Sequence, residues 1–531
     1  MRAGAADGPR PAVGAEVPWM GGARMRRAGT GRRSVGARAA ALLVVGSWLA
    51  SAFASPALAG EGPTRLGNAD RPASTLAAPG HPASVEVPAG AVSDPLAYPE
   101  GPGTVSPAVN GPASSGEGVL WLTMSAPGTS WASPSDTAVV VDVRLDAGPA
   151  QQVVLFYGAR PFTYEAFTGP VGPGRHLLTV SVDPALSHVQ GRVPEVQLEA
   201  ATLGVVAPGA AGYLLDAYAP VLYGRPSAGQ RYTPLLDDAA ETSEADGSHE
   251  LSYVMVFSAH DQGDSVVPAY QWGLWGRMTD VVSVLEETVA PDGDVTSATY
   301  ASCGCESLPW PPGVMAPEET TAAFEGAWFG HHPVLRDATA TNYMSDEGTS
   351  AFRFQQAPMA APAPGQLRSE VMDLHPWTYQ VSNEELPREH LISTDPDNLL
   401  VGDYRQYAIV DADVAASGAQ SVAVELRLAG SPTWYSNDYR QATAGVASTF
   451  PFHDGGHWRT VVKLPLDWAR RAITGIRLRL NVPPGAAATP KISIGSLEVL
   501  EVTPAYTVEA RTYPPVVVYT QPSLVPVAPP S

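Results

Sequence analysis

The chain has 531 residues, of which 44% are hydrophobic, 8% aromatic and 16% charged, and its net charge is −21 at neutral pH. A chain this acidic repels phosphate backbones, so the composition argues against nucleic acid and anionic membrane surfaces as partners. Its two cysteines are too few for a disulfide-stapled scaffold, which leaves hydrophobic cores as the source of stability.

The N-terminus has the pattern of an export signal. Arginines between positions 24 and 38 precede an apolar stretch from Ala39 to Ala54. The tripeptide Ala57–Ala59 then supplies small residues at the positions that a signal peptidase reads, which predicts cleavage before Gly60. The apolar stretch is shorter than the roughly 20 residues of a bilayer span, and the sequence offers no second candidate. We therefore expect a secreted or cell-surface protein with no stable membrane span after cleavage.

The remainder of the chain divides by composition. A segment rich in Pro, Gly, Ala and Ser follows the leader, and it has too few large apolar residues to offset the entropy of ordering the chain. The body beyond it is long enough for two or three domains. The predicted segments are a signal peptide at 1–59, a disordered spacer at 60–117, a β-sandwich at 118–228, a loop-rich β domain at 229–400, a second β-sandwich at 401–503 and a proline-rich tail at 504–531.

The first and last domains have the pattern of antiparallel β-sandwiches. Short runs rich in β-branched residues alternate with turn-forming clusters, as in Ala138–Leu145 followed by Asp146–Pro149. Within Val422–Leu428 apolar and polar residues alternate after the first three, which is typical of a strand with one solvent-facing side. In the tail, Val516–Tyr519 is prone to add a strand to a sheet edge. The sequence predicts a mainly β, multi-domain protein of jelly-roll or immunoglobulin-like sandwiches with a loop-rich middle segment.

The middle segment contains the densest group of chemically active side chains. His260, Asp261 and Asp264 directly follow a predicted strand at Leu251–Ser258. An imidazole and two carboxylates at a strand end suit a divalent cation, or a general base paired with the residue that orients it. The same residues also make an ordinary polar turn. Catalytic, metal-binding and structural interpretations of the three residues therefore stay open.

A second histidine site completes the predicted metal set. His331 and His332 are adjacent, and adjacent residues of a strand point to opposite faces, so one of the two can join the earlier cluster. The set predicted to bind a divalent cation is His260, Asp264 and His331. Beyond this predicted cation, the sequence leaves the cofactor unknown.

The two cysteines, Cys303 and Cys305, are separated by a single glycine. In an oxidising compartment we expect them to form a local disulfide. Free thiols, bridges to another chain and a soft-metal site are the alternatives. The spacing alone does not choose between them, because no set of four Cys and His ligands is spaced for a structural zinc site.

Two aromatic clusters are candidate sugar-binding groups. Flat aromatic rings stack on the apolar faces of sugar rings, and arginine bonds hydroxyl or carboxylate groups. The alternative for each ring is a place in the hydrophobic core. The candidates are Trp272, Trp275 and Arg277 in the middle segment, and Trp434, Tyr435 and Tyr439 in the last domain.

The sequence contains no serine nucleophile elbow, zinc-protease helix, P-loop, dinucleotide fingerprint or complete EF-hand loop. Three hypotheses therefore remain. The leading one is a secreted protein that binds, and in one version processes, extracellular polysaccharide. The second is a metal-dependent extracellular hydrolase that uses His260, Asp261 and Asp264 with one of the middle histidines. The third is a non-catalytic surface or matrix protein.

Overall fold

The computed structural model describes the chain between residues 104 and 522. Within these bounds it leaves out 106–107, 112–113, 192–194, 225–232, 260–271, 273–275, 280, 302–306, 310–321, 330–331, 338–351, 355–369, 390–391, 398–399, 420, 438–455 and 483–489. Strands hold 56% of the described residues and helices 10%, which confirms the mainly β prediction. Among these residues, no helix is both long and apolar enough to cross a bilayer.

The N-terminal part of the described chain forms two antiparallel sheets. Its strands are β1 (Thr104–Val105), β2 (Ala108–Asn110), β3 (Gly116–Ser125), β4 (Asp136–Leu145), β5 (Gln151–Val154), β6 (Phe162–Val171), β7 (Arg175–Val189) and β8 (Gln197–Val206). One sheet has the order β1-β7-β4-β5, with β2 also paired to β7, and the other has the order β6-β3-β8. Leu120 and Leu122 of β3 are fully buried, and so are the consecutive residues Val139–Val141 of β4, which is therefore buried on both faces.

The middle part contains two further sheets and short helices. Its elements are α1 (Tyr213–Ala217), β9 (Val221–Gly224), β10 (Pro234–Ser243), β11 (His249–Phe257), β12 (Val281–Val289), β13 (Val295–Ala301), β14 (Ser307–Pro309), β15 (Ala322–Phe329), β16 (His332–Asp337), β17 (Phe352–Phe354), α2 (Val371–Leu374) and α3 (Trp377–Glu385). Strands β10 to β14 form an antiparallel sheet in sequence order. The other sheet has the order β15-β16-β9-β17, in which β16 and β9 are parallel.

The helix α3 packs against the N-terminal sheets. The Trp377 ring at its start stacks on Phe156 with ring centroids 5.8 Å apart. At its end, the carboxylate of Glu385 accepts a hydrogen bond from the indole nitrogen of Trp131 at 3.2 Å. A short 3₁₀ turn at Leu386–Glu389 continues the helix. These contacts fix the helical segment to a domain more than 200 positions earlier in the chain.

The C-terminal part is a sandwich of two four-stranded sheets. Its strands are β18 (Tyr407–Ser417), β19 (Ser421–Leu428), β20 (Trp434–Ser436), β21 (Gly456–Lys463), β22 (Ile473–Val482), β23 (Lys491–Val502), β24 (Val508–Ala510) and β25 (Val517–Pro522). The sheets have the orders β21-β18-β23-β24 and β20-β19-β22-β25. Strand β25 lies at a sheet edge, parallel to β22, where the β-prone run of the predicted tail was expected to add. The sandwich therefore extends past residue 503.

The two faces of β18 belong to different hydrophobic cores. Ala408 and Val410 point into the core between the two C-terminal sheets. Tyr407 and Ile409 point the other way, into a core that continues through the middle part to the N-terminal sheets. On that side the Tyr407 ring stacks on Trp272 with centroids 4.1 Å apart and planes 7° apart. The alternating pattern of β18 thus joins the C-terminal sandwich to the rest of the described chain.

Candidate functional site

The outer face of the sheet β20-β19-β22-β25 carries large charged and aromatic side chains. In the sheet register Arg427 lies opposite both Trp434 and Gly475, while Arg477 lies opposite Glu425. Side chains alternate along a strand, so these residues share the face that points away from the sandwich core. We call this surface the aromatic–arginine face. Its members are Glu425, Arg427, Trp434, Arg477, Arg479 and Tyr519.

A glycine allows the Trp434 ring to lie flat on the sheet. A Cβ atom at Gly475 would come within 2.6 Å of the Trp434 ring, so a larger residue there would push the indole away. The guanidinium carbons of Arg477 and Arg427 lie 4.0 and 4.9 Å from the centroid of the same ring. Arg477 is also 4.7 Å from the centroid of Tyr519. Cation–π contacts of this kind hold both guanidinium groups in place on the face.

Among the described residues, the aromatic–arginine face carries an excess of positive charge. Its one carboxylate, on Glu425, accepts hydrogen bonds from Arg477, from Arg479 at 2.8 Å and from the Tyr519 hydroxyl at 2.8 Å. Burial and the hydrogen bond to Glu425 raise the pKa of Tyr519 to about 12, so the phenol stays protonated and donates. Together with Arg427, the face therefore has three guanidinium groups against one carboxylate.

A second polar cluster lies on the other sheet of the same sandwich. Arg459 of β21 is nearly buried, at 3% exposure, and donates hydrogen bonds to both carboxylate oxygens of Asp411 on β18. It also donates to Asp373 of α2 at 2.5 Å, and the Tyr379 hydroxyl of α3 donates to the same carboxylate at 2.6 Å. His457 Nε2 lies 3.3 Å from Asp411 Oδ1. We call these five residues the Arg459 network.

Burial would raise the pKa of Asp411, but hydrogen bonds from Arg459 and His457 outweigh it and hold the pKa below its ordinary value. Asp411 is therefore ionised at neutral pH. Ligand atoms of Glu370, Asp411 and His457 all lie within 4.8 Å of one another. Within the part of the chain that the structure describes, this is the one group of three such side chains.

Several carboxyl groups elsewhere in the fold are buried. Burial raises the pKa of Glu287 to about 8 and that of Asp238 to about 7. Burial also raises the pKa values of Glu165 and Asp216 to about 7, and in each case a neighbouring carboxylate adds to the effect. Neither carboxylate oxygen of Glu287 has a hydrogen-bond partner among the described residues. Glu165, Asp238 and Glu287 lie on three different strands and Asp216 on α1, and these groups form no three-ligand cluster among the described residues.

Most of the site residues predicted from the sequence lie outside the described part of the chain. The catalytic, metal-binding and disulfide predictions therefore stay predictions. The residues concerned are His260, Asp261, Asp264, Trp275, Cys303, Cys305, His331 and Tyr439.

The four other predicted residues are described. Trp272 has no exposed surface, and Tyr435 is 8% exposed within the core of the C-terminal sandwich. Both rings are therefore core residues, which was the alternative to sugar binding, since a ring packed on all sides cannot stack on a ligand. Arg277 is half-buried. Trp434 is also half-buried and belongs to the aromatic–arginine face, where Gly475 and two guanidinium groups already contact its ring.

The arginines that dominate both clusters were not among the site residues predicted from the sequence. In β22, Arg477 and Arg479 alternate with leucines, and this pattern places both on the outer face. In β21, His457 and Arg459 flank Trp458 in the same way. The alternation was therefore a usable signal, although nothing in it shows which groups the arginines contact.

Comparisons with known proteins give no family. No protein-family model matches the chain, and no curated protein matches it. A ruminal GH26 endo-β-1,4-mannanase is 9% identical over 24% of this chain and 29% of its own, with a TM-score of 0.15. The EclA C-terminal domain, a sugar-binding protein, is 10% identical over 22% of this chain and 79% of its own, with a TM-score of 0.16. The chain thus spans less than a third of the mannanase, and both scores are too low to indicate a shared fold.

Proposed function

We propose that the protein is exported and binds a polysaccharide outside the cell through the aromatic–arginine face. The observation that carries the proposal is the position of three guanidinium groups and two aromatic rings on one outward face of a sheet. The chain as a whole has a net charge of −21, so a locally cationic face stands out from its surroundings.

The chemistry of the face favours a polysaccharide that carries carboxylates. A planar guanidinium group bonds a carboxylate through two parallel N–H donors and can also bond hydroxyl groups. Arg427 and Arg477 are already held against the Trp434 ring, so little side-chain entropy remains to be lost on binding. The rings act mainly as supports for the arginines. A uronic acid polymer is therefore the class of ligand that best matches the chemistry of this face.

The negative charge of the rest of the chain does not prevent this binding at physiological salt. Interactions between exposed charges are largely screened beyond about 8 Å at 0.15 M ionic strength. A bound uronate would lie within direct contact of Arg427 and Arg477, where screening is weakest. The local excess of guanidinium groups should then decide the sign of the interaction.

Affinity electrophoresis of the full chain tests the proposal. Gels would contain polygalacturonate, alginate, mannan or no polysaccharide. We expect the acidic polymers to retard the wild-type protein, and Arg427→Gln to weaken retardation at least tenfold. Arg427 is the variant of choice because its removal leaves the pairing of Glu425 with Arg477 and Arg479 intact.

Arg470→Gln is the matched control. Arg470 is exposed in the same domain, lies outside the aromatic–arginine face, and its replacement removes the same charge. It should bind as the wild type does. No retardation by any polysaccharide would contradict the proposed function. An equal loss of retardation in Arg427→Gln and Arg470→Gln would contradict the assignment of binding to this face.

A further inference from the structure

The group formed by Glu370, Asp411 and His457 has no part in the proposed polysaccharide binding. It lies on the sheet β21-β18-β23-β24, whereas the aromatic–arginine face lies on the opposite sheet of the sandwich. Asp411 and His457 lie on the neighbouring strands β18 and β21, and Glu370 is the residue that precedes α2. The group therefore joins the helical segment to the C-terminal sandwich.

The spacing of the histidine and Asp411 is that of two ligands of one metal ion. In a tetrahedral zinc site, nitrogen and oxygen ligands about 2.0–2.1 Å from the ion lie about 3.3 Å from each other. His457 Nε2 and Asp411 Oδ1 are 3.3 Å apart. A histidine–carboxylate pair that is hydrogen-bonded at normal length is found elsewhere in the chain, where His176 Nδ1 lies 2.7 Å from Asp146 Oδ2. The His457 contact is longer than a good charge-assisted hydrogen bond, which measures about 2.7–2.9 Å.

The surrounding residues fix the ligands. Arg459 holds Asp411 through two hydrogen bonds, and Asp373 in turn holds Arg459. Ligating carboxylates in metal sites are commonly held by such outer hydrogen bonds, which set their orientation. Among Glu370, Asp373, Asp411 and Arg459, the carboxylates outnumber the guanidinium group by two.

We propose that Glu370, Asp411 and His457 bind a zinc ion. Calcium and magnesium prefer ligand sets made of oxygen alone, whereas imidazole suits zinc and related transition metals. Three protein ligands leave a fourth position for water or another ligand. The ion would link Glu370, at the start of α2, to strands β18 and β21. This site differs from the metal set predicted from the sequence, and it does not depend on the proposed polysaccharide binding.

Calorimetric titration of the chelator-treated, dialysed full chain with Zn²⁺ tests the inference. We expect one equivalent to bind to the wild type. His457→Gln and Glu370→Gln should each weaken this binding at least tenfold and abolish the rise in thermal midpoint that Zn²⁺ gives the wild type. Asp411 is left unchanged because Arg459 depends on it.

The control is His176→Gln, which removes a histidine from a pair with Asp146 that lacks a third ligand among the described residues. It should bind Zn²⁺ as the wild type does. Two results would overturn the inference: no stoichiometric uptake by the wild type, or unchanged uptake by a folded His457→Gln variant. In the second case His457 and Asp411 form a plain ion pair and the zinc is held elsewhere.

Discussion

Replacing Glu287 by glutamine should remove part of the pH dependence of stability. Glu287 lies on β12 with 3% exposure, and its carboxylate oxygens have no hydrogen-bond partner among the described residues. Burial raises its pKa from 4.5 to about 8. Between these values the folded protein holds a proton that the unfolded chain has lost. The free energy of unfolding therefore falls as the pH rises from below 4.5 through about 8.

The size of the effect follows from the pKa difference. Each pKa unit corresponds to about 1.4 kcal/mol, so the difference of roughly 3.5 units amounts to about 5 kcal/mol of stability lost above the higher pKa. Glutamine has nearly the same shape and stays neutral at every pH. Glu287→Gln should thus be close to the wild type in stability at pH 5 and more stable than the wild type at pH 9, by an amount of this order.

Urea unfolding of both proteins at pH 5 and pH 9 measures the difference. Glu286→Gln is the control, because Glu286 is the exposed neighbour on the same strand. This variant should change the free energy of unfolding by the same amount at pH 5 and at pH 9. Other buried carboxyls with raised pKa values stay in both proteins, so only the difference between variant and wild type is attributed to Glu287. Parallel pH profiles for Glu287→Gln and the wild type would refute the reasoning.

Three further substitutions test the packing around the two clusters. Trp272→Ala should lower the free energy of unfolding by about 3–5 kcal/mol, measured in urea, because it empties a fully buried site; a change below 1 kcal/mol would mean that the ring is not core. Arg459→Met should cost about 3–5 kcal/mol, because it leaves the half-buried carboxylate of Asp411 without its charged partner; a neutral result would show that this ion pair adds no stability. Gly475→Ala should displace Trp434 and weaken retardation by polygalacturonate several-fold with little change in thermal midpoint; wild-type retardation would show that the ring position does not matter.

The strands were largely predictable because they depend on local patterns. The alternation in Val422–Leu428 predicted β19, and the β-prone run near the end of the chain predicted β25 at a sheet edge. The helix α3 was not predicted. It is held by the stacking of Trp377 on Phe156, a contact between residues more than 200 positions apart. No pattern within the helix itself reveals such a partner.

The candidate sites were less predictable for the same reason. The Arg459 network brings Asp373 to a residue 86 positions later, and only the packing of α2 against β21 makes that contact. Aromatic residues raised a different difficulty, because the same residue types serve cores and ligand sites. Trp272 and Tyr435 were candidates for sugar binding, and the structure buries both. Adjacent polar residues were no guide, since Asn437, two positions after Tyr435, is itself fully buried.

Arginine footprinting gives the most direct test of polysaccharide binding by the aromatic–arginine face. The full chain would be treated with phenylglyoxal with and without oligogalacturonate, and the modification of each arginine measured by mass spectrometry. The proposal predicts that the oligosaccharide protects Arg427 and Arg477, while exposed Arg470 reacts at an unchanged rate. Equal modification of Arg427 and Arg477 with and without the oligosaccharide would contradict it.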